Sequence, residues 1–243
     1  MSGGRLRAIV ADAHLGERAG DVDRFGRFLD ELRALGAGEL NLLGDTFAYF
    51  IADERYLTGT VREALALLDR FRAGGARVHL IEGNRDFFVR GSEVAAEHFD
   101  SAGLARAVQT ASRRYLLVHG DLIDPYDRGY RLWRFLSKNP LAFLAMKALP
   151  PALGRPIVEH FESRLHGYTP SHGRIDELSL LSYARARFAE GFDRVVVGHH
   201  HRFLRTIDGG RDLIALPAWR DGGGYALLAA SGALAVCQRT RAA

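Results

Sequence analysis

The sequence contains almost no cysteine and no long apolar stretch. Cys237 is the one cysteine in 243 residues, which excludes an internal disulfide framework and fits a reducing compartment. No apolar run approaches the roughly 20 residues that a membrane-spanning helix needs. The N-terminal stretch MSGGRLRAIVADAHLG also has too short an apolar run for a signal peptide. Together these absences predict a cytoplasmic protein.

The overall composition is that of an ordinary globular chain. Hydrophobic residues make up 47% of the sequence and charged residues 26%. A chain of 243 residues fits one large domain, or one domain with an insertion. The formal net charge of +4 favours anionic partners such as phosphorylated metabolites, nucleic acid or an anionic membrane surface. Charge alone does not choose among these three.

Five segments share one feature, which is an apolar run followed by Asp, His, Asn or Gly. They are LRAIVADAHL, ELNLLGD, RVHLIEGNRD, RRYLLVHGD and RVVVGHHH. Each predicts a buried strand, and residues 21–36 and 56–75 have helical spacing. Functional sites of α/β sheets form outside the carboxyl ends of the strands, where glycines allow close approach. The later runs FLRTI, DLIALP, YALLAA and ALAVCQ, separated by Gly-rich turns, predict antiparallel strands.

The polar strand ends offer a set of metal ligands. Carboxylate, imidazole and amide groups together suit Mn²⁺, Fe or Zn²⁺. Alternation along an extended strand places His199 and His201 on one side and turns His200 away. Seven ligands exceed one tetrahedral site, so two cations bridged by one carboxylate are expected. The seven residues are Asp12, His14, Asp45, Asn84, His119, His199 and His201.

Each motif also has a purely structural interpretation when it is taken alone. Asp12 or Asp45 could cap a helix, GNRD could form a turn, and His119 could be a core histidine. Five such motifs in this order, each at the end of a predicted strand, favour the metal site over these alternatives.

The order Asp-x-His, Gly-Asp, Gly-Asn-x-Asp, His and Gly-His-x-His resembles the calcineurin-like metallophosphoesterase superfamily. The motifs DAHL, GD, GNRD, HGD and GHHH span residues 12–201. The resemblance implies an α/β fold, a four-layered α/β/β/α sandwich, with two divalent cations, Mn²⁺ being the expected metal. It implies that one cation is bound by Asp12, His14, Asp45 and His201. It implies that the other is bound by Asp45, which bridges the two, and by Asn84, His119 and His199.

The chemistry of the superfamily follows from these two cations. They polarise phosphoryl oxygens and lower the pKa of a bridging water for in-line attack on phosphorus. Many members carry His at the third position of the Gly-Asn-x-Asp motif, where it protonates the leaving group, but this chain has Arg85. A guanidinium is a poor proton donor, so Arg85 is expected to bind phosphate charge. A phosphate monoester leaving group, as in pyrophosphate cleavage, tolerates this change. The catalytic residues are then Asp45, Asn84, Arg85 and His119.

Two stretches, GNRDF and DRGYRLWR, resemble a narrower family, the UDP-2,3-diacylglucosamine pyrophosphatases of lipid A synthesis. The second stretch matches that family at Asp127, Tyr130, Trp133 and Arg134. The resemblance implies cleavage to UMP and the acylated sugar 1-phosphate, with substrate contacts from Asn84, Arg85, Asp127, Tyr130 and His199. There are two departures: Ala48 replaces a usual acidic residue, and IDPY replaces the usual Cys-Thr-Asp. Both concern nucleotide specificity rather than metal chemistry.

Residues 122–172 interrupt the strand pattern and predict a helical cap inserted into a single domain of residues 1–243. In one interpretation the cap is a helical hairpin packed on the main domain. In the other, which can hold at the same time, its apolar inner face binds acyl chains and its basic outer edge contacts an anionic membrane surface. The basic residues are Arg128, Arg131, Arg134, Lys138, Lys147 and Arg155.

Three functions follow from these patterns. The first is a two-metal pyrophosphatase for a nucleotide-activated acylated sugar, peripheral on the inner membrane face, without nucleic acid or an obligate protein partner. The second is a phosphoesterase of the same mechanism that acts on another phosphomonoester or phosphodiester. A nucleic-acid substrate would need an open basic groove with exposed aromatic residues. The third is a non-catalytic scaffold, which is expected to have lost ligands, whereas all seven are present.

Overall fold

Two β-sheets lie face to face in the computed structural model, which describes residues 5–150, 152–154 and 176–238. In spatial order, the first sheet contains β13 (Leu234–Cys237), β12 (Tyr225–Leu228), β1 (Leu6–Val10), β2 (Ala37–Leu43), β4 (Arg77–Ile81) and β6 (Ser101–Gly103). The second contains β10 (Leu204–Asp208), β11 (Arg211–Ala215), β9 (Arg194–Val197), β8 (Arg114–Val118) and β7 (Ala105–Gln109). A small ribbon pairs β3 (Phe50–Ile51) with β5 (Asp86–Phe87).

The five strands predicted to end in polar residues are all present and run parallel within their sheets. In the first sheet β1, β2 and β4 are parallel neighbours, and in the second β8 and β9 are. The antiparallel prediction for the later strands is confirmed for β10–β11 and β12–β13. It is wrong for β11, which also pairs parallel with β9. The chain after β9 passes to the edge strand β10, and a hairpin returns β11 between the two.

Helices cover the outer face of each sheet and complete four layers. On the first sheet lie α1 (Asp21–Ala34), α2 (Gly59–Ala73) and the short α3 (Glu93–His98). The predicted apolar stripe of α1, comprising Phe25, Phe28, Leu29 and Leu32, is buried there. On the second sheet lies α6 (Glu177–Ala189), which packs Leu180, Ala184 and Phe188 against β8, β9 and β11. The predicted α/β/β/α sandwich is therefore confirmed.

The two sheets pack on each other through branched aliphatic side chains. Ile9, Leu43 and Ile81 of the first sheet share a buried cluster with Val196 and Ile214 of the second. Alternate residues of the same strands face the outer helices, as the period of two along a strand requires. This packing brings the carboxyl ends of β1, β2 and β4 to those of β8 and β9.

The described part of the predicted cap contains two helices with given bounds. Its helices are α4 (Arg128–Ser137), which begins after the N-capping side chain of Asp127, and α5 (Pro140–Ala148), which begins after that of Asn139. It packs on the β3–β5 ribbon, with the rings of Phe88 and Phe143 4.9 Å apart. Residues 155–172 of the predicted insertion, which include Arg155, lie outside the described residues. The boundaries of the insertion therefore stay a prediction.

Two short helices lie elsewhere in the described fold, a 3₁₀ turn at Glu54–Tyr56 and α7 (Trp219–Gly222). Among the described helices, none has the length and hydropathy that crossing a bilayer requires.

Candidate metal centre

All seven predicted ligands lie at the edge where the two sheets end together. Asp12 and His14 follow β1, Asp45 follows β2, and Asn84 follows β4 in the first sheet. His119 follows β8, and His199 and His201 follow β9 in the second sheet. The carboxylates of Asp12 and Asp45 and the ring of His119 are almost completely buried.

The first half of the site consists of Asp12, His14 and His201. The Nε2 atoms of the two histidines lie 3.4 Å apart, and His201 Nε2 lies 3.5 Å from Asp12 Oδ1. That oxygen is buried and has no hydrogen-bond partner among the described residues. Burial lowers the pKa of His14 to about 2, so this imidazole is neutral and carries a free lone pair. Two imidazole nitrogens and a carboxylate oxygen that converge in this way suit a cation.

The second half of the site is built from Asp45, Asn84, His119 and His199. His119 Nδ1 lies 2.7 Å from the carbonyl oxygen of Leu43, to which it donates, and this leaves Nε2 directed into the site. Asn84 Oδ1 lies 2.9 Å from His119 Nε2 and 3.1 Å from His199 Nδ1. Burial, together with the charge of His119, lowers the pKa of His199 to about 3. This half again presents oxygen and nitrogen ligands to a common point.

The two halves meet at a pair of carboxylates. Ligand atoms of Asp12, His14 and His201 form one close group, and those of Asp12, Asp45 and His119 form a second. Burial raises the pKa of Asp45, and the neighbouring charge of Asp12 raises it further. Ligand atoms of the two carboxylates lie within 4.8 Å of each other. Divalent cations bound here would relieve the repulsion between these two buried groups. The shared residue of the two groups is Asp12, so the bridging role of Asp45 stays a prediction.

Five of the seven predicted ligands have left-handed backbone conformations. Their φ angles are 53° for Asp12, 47° for His14, 49° for Asp45, 65° for His199 and 55° for His201. Within the described part of the chain, Phe88 is the one other non-glycine residue with positive φ. Such conformations are costly for residues with a Cβ atom and cluster at functional sites. The fold therefore maintains strain where the ligands converge.

These angles correct the sequence argument for the three consecutive histidines. Strand β9 ends at Val197, so alternation along an extended strand does not orient His199, His200 and His201. His199 contacts Asn84 and His201 contacts His14, so the two rings face different halves of the site. His200 lies in neither close group, and its non-ligand role stays a prediction.

Two glycines at the strand ends make room for this convergence. A Cβ atom on Gly44, which has φ of 76°, would lie 2.6 Å from His119 Nδ1. A Cβ atom on Gly83 would overlap a carboxylate oxygen of Asp45. The glycines of the GD and GN motifs are thus required by close packing of the site itself.

A sequence model described as calcineurin-like phosphoesterase matches residues 7–203. The chain belongs to that family. It is also 31% identical over 205 residues to a UDP-2,3-diacylglucosamine hydrolase of Stutzerimonas stutzeri, covering 80% of this chain and 81% of the relative. A protein of the same description from Pseudomonas fluorescens is 29% identical over 226 residues, covering 90% and 89% of the two chains.

Solved structures confirm the fold at low sequence identity. A single mutant of Vps29 from Entamoeba histolytica is 14% identical, with a TM-score of 0.50 over 97% of this chain and 99% of that chain. An archaeal phosphodiesterase is 10% identical, with a TM-score of 0.50 over 96% and 99%. At these sequence identities, both resemblances show the fold alone.

Arg85 lies in the site but is already paired. Its Nη1 donates to Glu17 Oε1 at 2.6 Å and to the carbonyl oxygen of Ala48 at 3.3 Å. Its Nε lies 3.7 Å from Asp45 Oδ2. Glu17 was missed by the sequence analysis, although it follows His14 by three residues, and its Oε1 lies 3.4 Å from His14 Nδ1. The role of Arg85 in binding phosphate stays a prediction.

A pocket adjoins the second half of the site. Asp127, a predicted substrate contact, is part of its lining, although one carboxylate oxygen accepts the amide hydrogen of Tyr130 at 2.9 Å. The hydroxyl of Tyr130 donates to Asp121, and its substrate contact stays a prediction. The pocket is lined by Gly120, Asp121, Ile123, Asp124, Asp127, Asp176, Ser179, Leu180, His199 and His200.

Two basic residues expected at the outer edge of the cap are buried instead. Arg134 pairs with Asp121 and Glu82 at 2.6 and 2.9 Å, and Lys138 lies 3.3 Å from Glu82. The prediction of an outer basic edge is therefore wrong for these two. Helical spacing placed them among apolar residues but could not reveal the acidic partners, which lie in other segments.

Proposed function

We propose that the protein is a dinuclear-metal hydrolase that cleaves the pyrophosphate of UDP-2,3-diacylglucosamine to UMP and 2,3-diacylglucosamine 1-phosphate. The observation that carries the proposal is a strained, ligand-rich site directly beside a cap with an exposed apolar surface. The relatives described as UDP-2,3-diacylglucosamine hydrolase support the same substrate. The site suits a diphosphate, and the cap suits the acyl chains attached to it.

The metal ligands follow the two halves of the site, and Mn²⁺ fits their mixed oxygen and nitrogen atoms. Asp12, His14 and His201 would bind one cation, and Asn84, His119 and His199 the other, with Asp45 between them. Bound divalent cations would polarise the phosphoryl oxygens and lower the pKa of a water. The hydrogen bond from His119 Nδ1 to Leu43 fixes the tautomer that this arrangement needs.

The protein's own charges favour a phosphate leaving group. Arg85, which pairs with Glu17 and lies beside Asp45, would contact the reacting diphosphate through its guanidinium group. It cannot donate a proton at neutral pH, so the leaving group must depart without one. A sugar 1-phosphate is stable as an anion and meets this requirement.

The cap exposes more apolar surface than its own packing uses. Leu132, Phe135, Leu136, Leu141 and Leu144 are each more than half exposed. Each acyl methylene buried there would contribute roughly 0.8 kcal/mol, so part of one chain could dominate substrate affinity. Arg128 and Arg131 are exposed on the same cap, which supports a peripheral contact with an anionic membrane surface.

The test compares UDP-2,3-diacylglucosamine with UDP-N-acetylglucosamine at equal concentration, in one detergent, with Mn²⁺. Release of UMP is expected to be far faster for the acylated substrate, mainly through kcat/KM, because only that substrate contacts the cap. Replacing Leu141 and Leu144 with Gln should reduce the preference without changing metal content. Equal hydrolysis of the two substrates would contradict the proposal and favour a general phosphoesterase.

A further inference from the structure

One lysine of the cap is buried against the turn that carries Asn84. Lys138 follows the last residue of α4, and its side chain is 6% exposed. Its ammonium group donates to the carbonyl oxygens of Gly83 at 2.6 Å and Asp86 at 2.5 Å. It also lies 3.3 Å from Glu82 Oε1. Three N–H donors therefore meet three acceptors, which is the full capacity of an ammonium group.

The two carbonyl groups flank the site residues of this turn. Gly83 and Asp86 stand on either side of Asn84 and Arg85 in the sequence. The Asp86 carboxylate accepts the amide hydrogen of Gly83 at 2.8 Å and closes the turn internally. Because Lys138 binds both flanking carbonyls, it fixes the turn from outside, and with it the direction of the Asn84 amide.

Arg134, one helical turn before Lys138, extends the same contact to a second loop. Its Nη2 lies 2.9 Å from Glu82 Oε1, and its Nη1 lies 2.6 Å from Asp121 Oδ2. Asp121 follows His119 by two residues, so helix α4 contacts the loops after both β4 and β8. The buried side chains of Arg134 and Lys138 thus face the buried carboxylates of Glu82 and Asp121. The opposite charges balance, which offsets the cost of burying them.

We propose that Lys138 is a positioning residue for the metal centre, fixing the Gly83–Asp86 turn so that Asn84 presents its amide oxygen to a cation. The inference rests on the proposed function, in which Asn84 is a metal ligand. The cap then contributes to metal binding as well as to binding of the acyl chains. Residues that orient ligands in this way typically change metal affinity or activity by about 10- to 100-fold when they are replaced.

The chain offers a matched control, because Lys138 and Lys147 are its two lysines. Lys147 is exposed on α5. Metal-free wild type, Lys138→Met and Lys147→Met would be titrated with Mn²⁺ and then assayed. Lys138→Met should lose at least about tenfold in affinity for one of two Mn²⁺ ions and lose kcat, while KM stays within about twofold. Lys147→Met should match wild type.

The outcomes separate this inference from the proposed function. Wild-type protein that binds no Mn²⁺ would contradict both. Two Mn²⁺ ions bound equally tightly by wild type and by a folded Lys138→Met variant would overturn the positioning role alone.

A second measurement needs no change at Lys138. Acetylation of the wild-type protein with an amine-reactive reagent, followed by mass spectrometry, compares the rates at Lys138 and Lys147. If Lys138 favours Mn²⁺ binding, bound Mn²⁺ must in turn stabilise the contacts of Lys138. Mn²⁺ should therefore slow the acetylation of Lys138 at least about fivefold relative to that of Lys147. Asn84→Ala should remove that effect. A rate ratio that Mn²⁺ leaves unchanged in wild type would overturn the inference, even if Lys138→Met does not fold.

Discussion

Two buried polar clusters lie toward opposite ends of the strands of the first sheet and are built differently. The metal centre lies beyond the carboxyl ends of β1, β2 and β4. The other, here called the base cluster, lies nearer the starts of these strands and contains the buried side chains of Glu39, Asn41 and His79. Two partly exposed arginines, Arg7 of β1 and Arg106 of β7 in the second sheet, complete it by pairing with Glu39.

In the base cluster, opposite charges face each other. Glu39 pairs with Arg7 at 3.3 Å and with Arg106 at 2.9 Å, and Asn41 donates to Glu39 at 3.2 Å. Burial opposes ionisation of Glu39, but Arg106, Asn41 and Arg7 outweigh it and lower the pKa of this carboxyl. No residue of the base cluster has a positive φ angle.

In the metal centre, like groups also meet, because Asp12 lies beside Asp45 and His14 lies beside His201. The pKa of Asp45 is raised, by burial and then by Asp12, and the backbone is strained at five ligand residues. Removing one partner of a paired charge leaves the other without compensation, whereas buried lone pairs that converge need a cation to become favourable. The two clusters should therefore respond in opposite ways to loss of a carboxylate.

The largest expected effect is that of Asp45→Asn in the metal centre. Activity should fall at least roughly a hundredfold, because electrostatic contacts to the reacting group are typically worth that much. The metal-free variant should be as stable as metal-free wild type or more so, because repulsion with Asp12 is removed. Release of UMP in the presence of Mn²⁺ measures the loss of activity. Thermal unfolding in the presence of a chelator measures the stability of the metal-free proteins. Near-wild-type activity would contradict the two-metal account.

The reverse pattern is expected for Glu39→Gln in the base cluster. Loss of the negative charge weakens the contacts of Glu39 with the partly exposed guanidinium groups of Arg7 and Arg106, at a cost of about 1–2 kcal/mol in the free energy of unfolding. The value of kcat/KM should stay within about twofold of wild type. Urea unfolding and the substrate assay check both statements, and a stable but inactive variant would erase the contrast between the clusters.

A smaller effect concerns pH and His79. Burial, then the charge of Arg106, lowers the pKa of His79 to about 4 in the folded protein, below its ordinary value of 6.5. Between these values the unfolded chain binds the proton and the folded one does not, so stability falls as pH falls through this window. From pH 6.5 to 5, wild type should lose about 1.5 kcal/mol more than His79→Gln in urea unfolding with a chelator. Parallel pH profiles would contradict a buried, neutral His79.

The smallest effect is expected for His200→Ala. His199 contacts the Asn84 amide, whereas His200 lines the neighbouring pocket, so the variant should bind as much Mn²⁺ as wild type. Its side chain lines the pocket, so any change should fall on KM. Elemental analysis of the two proteins provides the check, and loss of one metal equivalent would place His200 among the ligands.

Local sequence patterns were sufficient for the main strands and for the polar residues that follow them. Apolar runs that end in Asp, His, Asn or Gly located β1, β2, β4, β8 and β9 and the polar residues after each. The helical spacing of α1 predicted its buried face. These features depend on neighbours within a few residues, which periodicity reports directly.

Contacts between distant segments could not be predicted in this way. Lys138 lies more than fifty residues from the carbonyls that it binds, and no local pattern connects them. The short strands β6 and β7 lack an apolar run, so periodicity did not predict them. Both lie at the edge of a sheet, where fewer side chains need to be buried. The turn at His199–His201 has positive φ angles because tertiary packing overrides the extended backbone that its sequence suggested.

The central claim is that the strained cluster at the sheet ends binds two divalent cations. Anomalous diffraction at the manganese absorption edge, from crystals grown with Mn²⁺, tests it directly. The account predicts two peaks, one beside His14 and His201 and one beside Asn84, His119 and His199, with the Asp45 carboxylate between them. A single peak, or peaks away from Asp45, would contradict it.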